Sequence, residues 1–161
     1  MNSKKSGFTL IEVLVGLGIV SVSFLAGYAG YQDFARRQIL ETSREELKSN
    51  LVYARHKALS GDSASACNAL SDTLEGFSVT FAASSYTISP KCTGGANPGA
   101  SYSKQVNLPT NVTLAISGFV SPLVYKTVSG TNLSSNGTLT LTFGPTGATQ
   151  IVTVTAQGVV Q

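Results

Sequence analysis

Charge is scarce in this chain. Only 12% of its 161 residues are Asp, Glu, Lys or Arg, about half the share usual in a soluble domain. The shortage has two sources. One is a long apolar run near the N-terminus; the other is a C-terminal half written in Ser, Thr, Gly and β-branched residues. Neither suits an intracellular enzyme. The formal charge of +3 includes Lys4 and Lys5. Without the first seven residues, 9 basic side chains face 8 acidic ones, so a polyanion partner does not follow from net charge.

Metal-ligating and catalytic side chains are equally few. There is one histidine, His56, and two cysteines, Cys67 and Cys92, with no Cys-x-x-Cys pair. Zinc takes about four ligands, so no metal site is expected. His56 stands between Arg55 and Lys57 on a polar helix face and has no nucleophile or orienting acid in a recognisable motif. It reads as a solvated surface residue. Asp62, Asp72 and Glu75 lack the spacing of a calcium loop. Phosphate-loop and dinucleotide glycine patterns are absent, since Gly94-Gly95 belongs to a loop and Gly16-x-Gly18 to an apolar helix. The expectation is no catalytic residue, no cofactor and no enzyme.

What the chain does have is a run from Phe8 to Tyr31 with Glu12 as its only charge. A bilayer takes about 20 apolar residues in a helix, and this run is long enough. Lys4 and Lys5 precede it, which keeps the N-terminus cytoplasmic and sends the rest of the chain outward. An ordinary signal peptide is the competing reading, with Gly27-Tyr28-Ala29 as its small-x-small cleavage site. Two details oppose it. The run is longer than the 7–15 residues of a signal core. It also carries a carboxylate, which costs about 2.5–3.5 kcal/mol at the centre of a spanning helix. Glu12 lies nearer the cytoplasmic end, which lessens that cost. It still needs a partner.

The stretch Lys4-Lys5-Ser6-Gly7-Phe8-Thr9-Leu10-Ile11-Glu12-Val13-Leu14-Val15 resembles the cleavage and methylation motif of type IV pilins and type II secretion pseudopilins. The resemblance implies that a prepilin peptidase cuts between Gly7 and Phe8 and N-methylates Phe8. It implies further that Glu12, four positions beyond, pairs with the amino terminus of a neighbouring subunit and serves assembly. In low dielectric that pairing is far stronger than in water, and an unpaired Glu12 penalises the wrong axial register. Gly16, Gly18, Gly27 and Gly30 allow close helix packing in lipid. The family often has a proline late in this segment. Here there is none, and Gly27 and Gly30 are positioned to soften the helix instead.

Beyond Tyr31 the helical period continues. Leu40, Leu47, Leu51, Ala54 and Ala58 recur on one face, with Arg37, Glu41, Glu45, Lys48, Arg55 and Lys57 mostly elsewhere. Ser60-Gly61-Asp62 stops it. From Phe77 the period becomes two: Phe77, Val79 and Phe81, then Tyr86 and Ile88 after an Ala/Ser turn, read as a hairpin. Further strands are expected at Val106–Leu108, Val112–Ile116, Leu123–Val128, Leu139–Phe143 and Ile151–Thr155. Pro145-Thr146-Gly147 and Gly158 punctuate them, and Asn136-Gly137 reads as a tight hairpin turn. Residues 60–76 and 90–105 carry no clear period. The expected fold class is α+β and pilin-like, a long N-terminal helix packed on an antiparallel β-sheet with one wet face. The segments are a leader (1–7), a transmembrane and assembly half (8–31), an amphipathic half (32–59) and a β-rich globular domain (60–161).

Once the domain lies outside the cytoplasm, a Cys67–Cys92 disulfide is the default reading, stabilising by roughly 3–4 kcal/mol in the chain-entropy model. Two buried free thiols are the alternative. The matches to the glycosylation pattern at Asn111, Asn132 and Asn136 are weak. The helix end at Leu51–Leu59 and the closing Ile151–Gly158 also resemble minor pseudopilins and minor pilins, more loosely. The function so implied is that of a filament subunit, minor rather than major, in a type IV pilus-like or type II secretion pseudopilus. It is held first in the inner membrane with its domain periplasmic or extracellular. Its partners are the peptidase and other pilin or pseudopilin subunits. The rival is a pilin-like binding module for DNA, a surface or a secreted substrate. Against DNA, the basic residues Arg55, Lys57, Lys91, Lys104 and Lys126 are scattered, whereas phosphate binding wants a cluster.

Overall fold

The computed structural model describes residues 9–61, 67, 72–94, 103–128 and 130–161. One helix, α1, runs from Leu10 to Ser60. Thr9 caps its start. The Glu12 backbone N–H donates to the Thr9 carbonyl at 3.1 Å and to Thr9 Oγ1 at 3.4 Å, and Thr-x-x-Glu is a capping-box sequence. The helix ends where Gly61 takes a positive φ of 64°, the left-handed turn that glycine supplies without strain. Its residues divide between two compact units, Met1–Arg37 and Gln38–Gln161.

Within the second unit the helix buries Leu40, Leu47, Leu51, Ala54 and Ala58 in the same core as both sheets. The 3.6-residue stripe read from the sequence is therefore the core face. Ser43 is buried on the same face and turns its hydroxyl back to the Ile39 carbonyl at 2.8 Å, so no polar atom there is left unbonded.

Seven strands follow: β1 (Leu74–Phe81), β2 (Ser85–Cys92), β3 (Lys104–Asn107), β4 (Val112–Ser117), β5 (Leu123–Lys126), β6 (Gly137–Phe143) and β7 (Ala148–Val154). Each expected strand has its counterpart, with ends shifted by a few residues. Where one sheet was expected there are two. All pairings are antiparallel, in the orders β3-β2-β1-β5 and β4-β6-β7. The chain first leaves one sheet for the other between β3 and β4, returns for β5, and crosses again to β6. At the first crossing Pro109 lacks an N–H to continue a ladder, and Asn111 has a φ of 69° that turns the chain away. Alternation is clean in β2 and β6, whose residues switch between buried and half-buried, as strands with one covered face do.

The Asn136-Gly137 hairpin is corrected by the structure. Gly137 opens β6, which pairs with β4 and β7 and not with the preceding β5. The glycine is there because a Cβ would overlap the Phe119 ring. The true hairpin turn joins β6 to β7, where Gly147 has a φ of 66° and both its N–H and that of Thr146 donate to the Phe143 carbonyl. Gly158 does not end a strand but turns the chain back. Gln161 exchanges both backbone hydrogen bonds with Thr153, at 2.9 and 3.0 Å, beside β7.

Cys67 and Cys92 form a disulfide with Cα atoms 5.6 Å apart, and both are buried. It ties the connection after the helix to the end of β2. By loop length it stabilises the domain by roughly 3–4 kcal/mol.

Candidate functional site

The first helix unit has the properties of a surface made for another apolar phase. Leu10, Leu17, Phe24 and Leu25 are 79%, 60%, 78% and 73% exposed, so nothing in the unit covers them. By length and composition the helix is apolar enough to cross a membrane. Its serine hydroxyls are satisfied locally. Ser21 Oγ donates to the Leu17 carbonyl at 2.8 Å and Ser23 Oγ to the Ile19 carbonyl at 3.0 Å, which removes the cost of a bare hydroxyl in hydrocarbon. At the C-terminal end of this run, Gln32 Nε2 donates to the Tyr28 hydroxyl at 2.6 Å. Tyr28 and Tyr31 there are the amphipathic aromatics favoured at a membrane surface.

Glu12 stands in the first turn of this unit. Its backbone N–H is held by the Thr9 cap, and its carboxylate makes no ion pair with any described residue. A carboxylate in the first helical turn is favoured by the helix dipole. That favours its placement but leaves its charge without a counterion. Gly7 and Phe8, where cleavage and methylation are expected, lie outside the described residues. The cap by Thr9 was missed in the sequence reading, although Thr9-Leu10-Ile11-Glu12 carries its signal; so were the self-bonded serines, which the four-residue back-bonding rule would have found.

In the second unit the basic residues do not form one phosphate-binding stripe. Lys91 pairs with Glu75 at 3.2 Å. Lys104 donates to Asn50 Oδ1 at 2.8 Å, and Asn50 Nδ2 donates to the Tyr86 hydroxyl at 2.8 Å. Burial pushes the Tyr86 phenol up to about 12, partly offset by the Asn50 hydrogen bond. Lys57 and Lys104 both lie over the Tyr53 ring, 5.7 and 5.4 Å from its centre. His56 is exposed on the helix, as expected for a solvated residue. Among the described residues no group of His, Cys, Asp or Glu is gathered that could hold a metal.

Comparison with known proteins agrees with both units. The prokaryotic N-terminal methylation motif matches residues 2–28. The fold is similar to that of the type IV minor pilin FimU of Pseudomonas aeruginosa, strain PAO1, at a TM-score of 0.59 and 16% identity, covering 80% of this chain and 90% of that one. No curated protein sequence matches the chain. The chain thus carries a methylation motif at its N-terminal end and a pilin-like fold. The motif is that of prokaryotic N-terminal methylation, and the fold is similar to that of a minor pilin.

Proposed function

We propose that the chain is a minor structural subunit of a type IV pilus-like or type II secretion pseudopilus filament. In this reading it is cut between Gly7 and Phe8 by a prepilin peptidase, methylated on Phe8, and held in the inner membrane with residues beyond Tyr31 on the outer side until assembly. The observation that carries it is the exposed apolar helix half with one unpaired carboxylate at its start. A helix that only anchored the protein would have no use for that charge, whereas a packed filament supplies its counterion as the amine on Phe8 of a neighbour. Low dielectric strengthens the pair, and the penalty for a buried unpaired charge enforces one axial register. No step here is enzymatic; the chain acts by packing.

The test is the intact mass and N-terminal residue of the protein taken from its native membrane. The expected product begins at N-methylated Phe8. A chain beginning at Gly30 would mean ordinary signal-peptide cleavage, and the assembly role of Glu12 would fall with it.

A further inference from the structure

The second unit contains a cleft of about 380 Å³ lined by Arg55 and Leu59 of the helix, Tyr125 and Lys126 of β5, Gly130, and Ala156 and Gln157 of the turn after β7. Three features set it apart. Tyr125 is 1% exposed, and its hydroxyl is the buried side-chain polar atom without a hydrogen-bond partner among the described residues. Buried polar groups are nearly always bonded, so an orphaned one calls for a partner that the chain itself does not provide. Arg55 and Lys126 make no ion pair among the described residues. The wall is also built tightly around the phenol. A Cβ at Gly158 would press on the Tyr125 ring at 3.2 Å. Burial raises the phenol's pKa, so it stays protonated and able to donate at neutral pH.

We infer that this cleft binds a carboxylate, with Arg55 and Lys126 supplying the countercharge, the Tyr125 hydroxyl donating a hydrogen bond, and Leu59 and Ala156 accepting the apolar part of the ligand. Two cations without an ion pair among the described residues line it together with Tyr125, while no described acid does. A charge-assisted hydrogen bond is about twice as strong as a neutral one, which suits a carboxylate better than an uncharged ligand. The inference does not depend on filament assembly.

The experiment titrates citrate into the purified full-length chain in neutral detergent, reading heat of binding and thermal midpoint. Saturable binding, a midpoint that rises with citrate, and at least tenfold weaker binding in Arg55→Gln and in Tyr125→Phe are expected. Without citrate, Tyr125→Phe should melt no lower than the parent, because removing an orphaned hydroxyl loses no bond. No binding to the parent, or unchanged affinity in both variants, overturns the inference. So does a lower citrate-free midpoint for Tyr125→Phe, which would mean that the hydroxyl already has a structural partner. Should citrate bind, Arg55→Glu identifies the source. Normal filament incorporation points to a free small carboxylate, and impaired incorporation to an acidic side chain of another subunit.

Discussion

Two stretches of one helix carry leucines in similar number and use them in opposite ways. Leu17 is 60% exposed in the first unit, whereas Leu47 and Leu51 are completely buried in the second. The difference lies in the neighbours along the wheel. Around Leu17 every face is apolar, so no side is set aside for water. Around Leu47 the apolar positions form a stripe, and Glu45, Glu46 and Lys48 take the remainder. An all-apolar helix belongs in lipid or among other helices, and an amphipathic one belongs on a sheet. The contrast teaches that hydrophobicity alone does not mark a core; its angular distribution does.

The comparison can be broken most forcefully at Glu12. Replacing it by Ala should leave processing largely intact and cut incorporation into filaments by about tenfold or more, read by immunoblot of sheared filaments against membranes; a tenfold loss corresponds to about 1.4 kcal/mol. Glu12→Gln sharpens the result, because it keeps the size and local cap geometry while removing the charge. Normal incorporation of both variants would sink the registry argument.

Next comes the second unit's interior. Leu51→Ala should cost about 2–5 kcal/mol of domain stability through lost burial and a residual cavity, measured by urea unfolding in detergent. The same change at Leu17 should leave that stability within about 0.5 kcal/mol, since it removes no intramolecular packing. Equal effects at the two positions would erase the distinction between the units. Reducing the Cys67–Cys92 disulfide should lower the unfolding free energy of the second unit by roughly 3–4 kcal/mol and leave the helicity of the first unit unchanged by circular dichroism.

The smallest effects concern polar detail. Tyr86 has a folded pKa of about 12 against an ordinary 10.0, and that of Tyr125 is also raised. The folded state thus holds protons that the unfolded state releases. Stability from these phenols is fully present below about pH 10 and is lost as pH rises from there through 12. Tyr86→Phe should flatten the slope of unfolding free energy against pH in that window. Thr9→Ala should weaken the helix start by about 0.5–2 kcal/mol, visible as faster amide exchange in the first turn.

Much of this architecture was legible because it rests on period and punctuation. The burial of Leu40, Leu47, Leu51, Ala54 and Ala58 follows from spacing alone, and the helix stop follows from Gly61. The strands were legible from alternation, but their division into two sheets was not. Pairing partners depend on how Pro109 and Asn111 turn the chain, and alternation carries no information about neighbours. Asn136-Gly137 misled for a related reason. The dipeptide is a turn former, yet at Gly137 the absence of a side chain answers the Phe119 ring packed against it. At the N-terminal end, the motif fixed attention on Glu12, while the cap at Thr9 and the serines bonded back to Leu17 and Ile19 are local geometry that residue type only permits. The cleft beside Tyr125 joins residues 55, 125 and 157, and nothing in a linear pattern brings those together.

The way the second half of the helix is fastened has a mechanical meaning. Arg44 Nε donates to the Ile151 carbonyl on β7, while Asn50 is bonded to Tyr86 on β2 and to Lys104 on β3. The rod is thus fastened to both sheets at two neighbouring points, Arg44 and Asn50. A pull along its axis loads these bonds together with the packed Leu47 between them, so the joint resists in shear. These attachments pass a load on this part of the helix to both sheets at once.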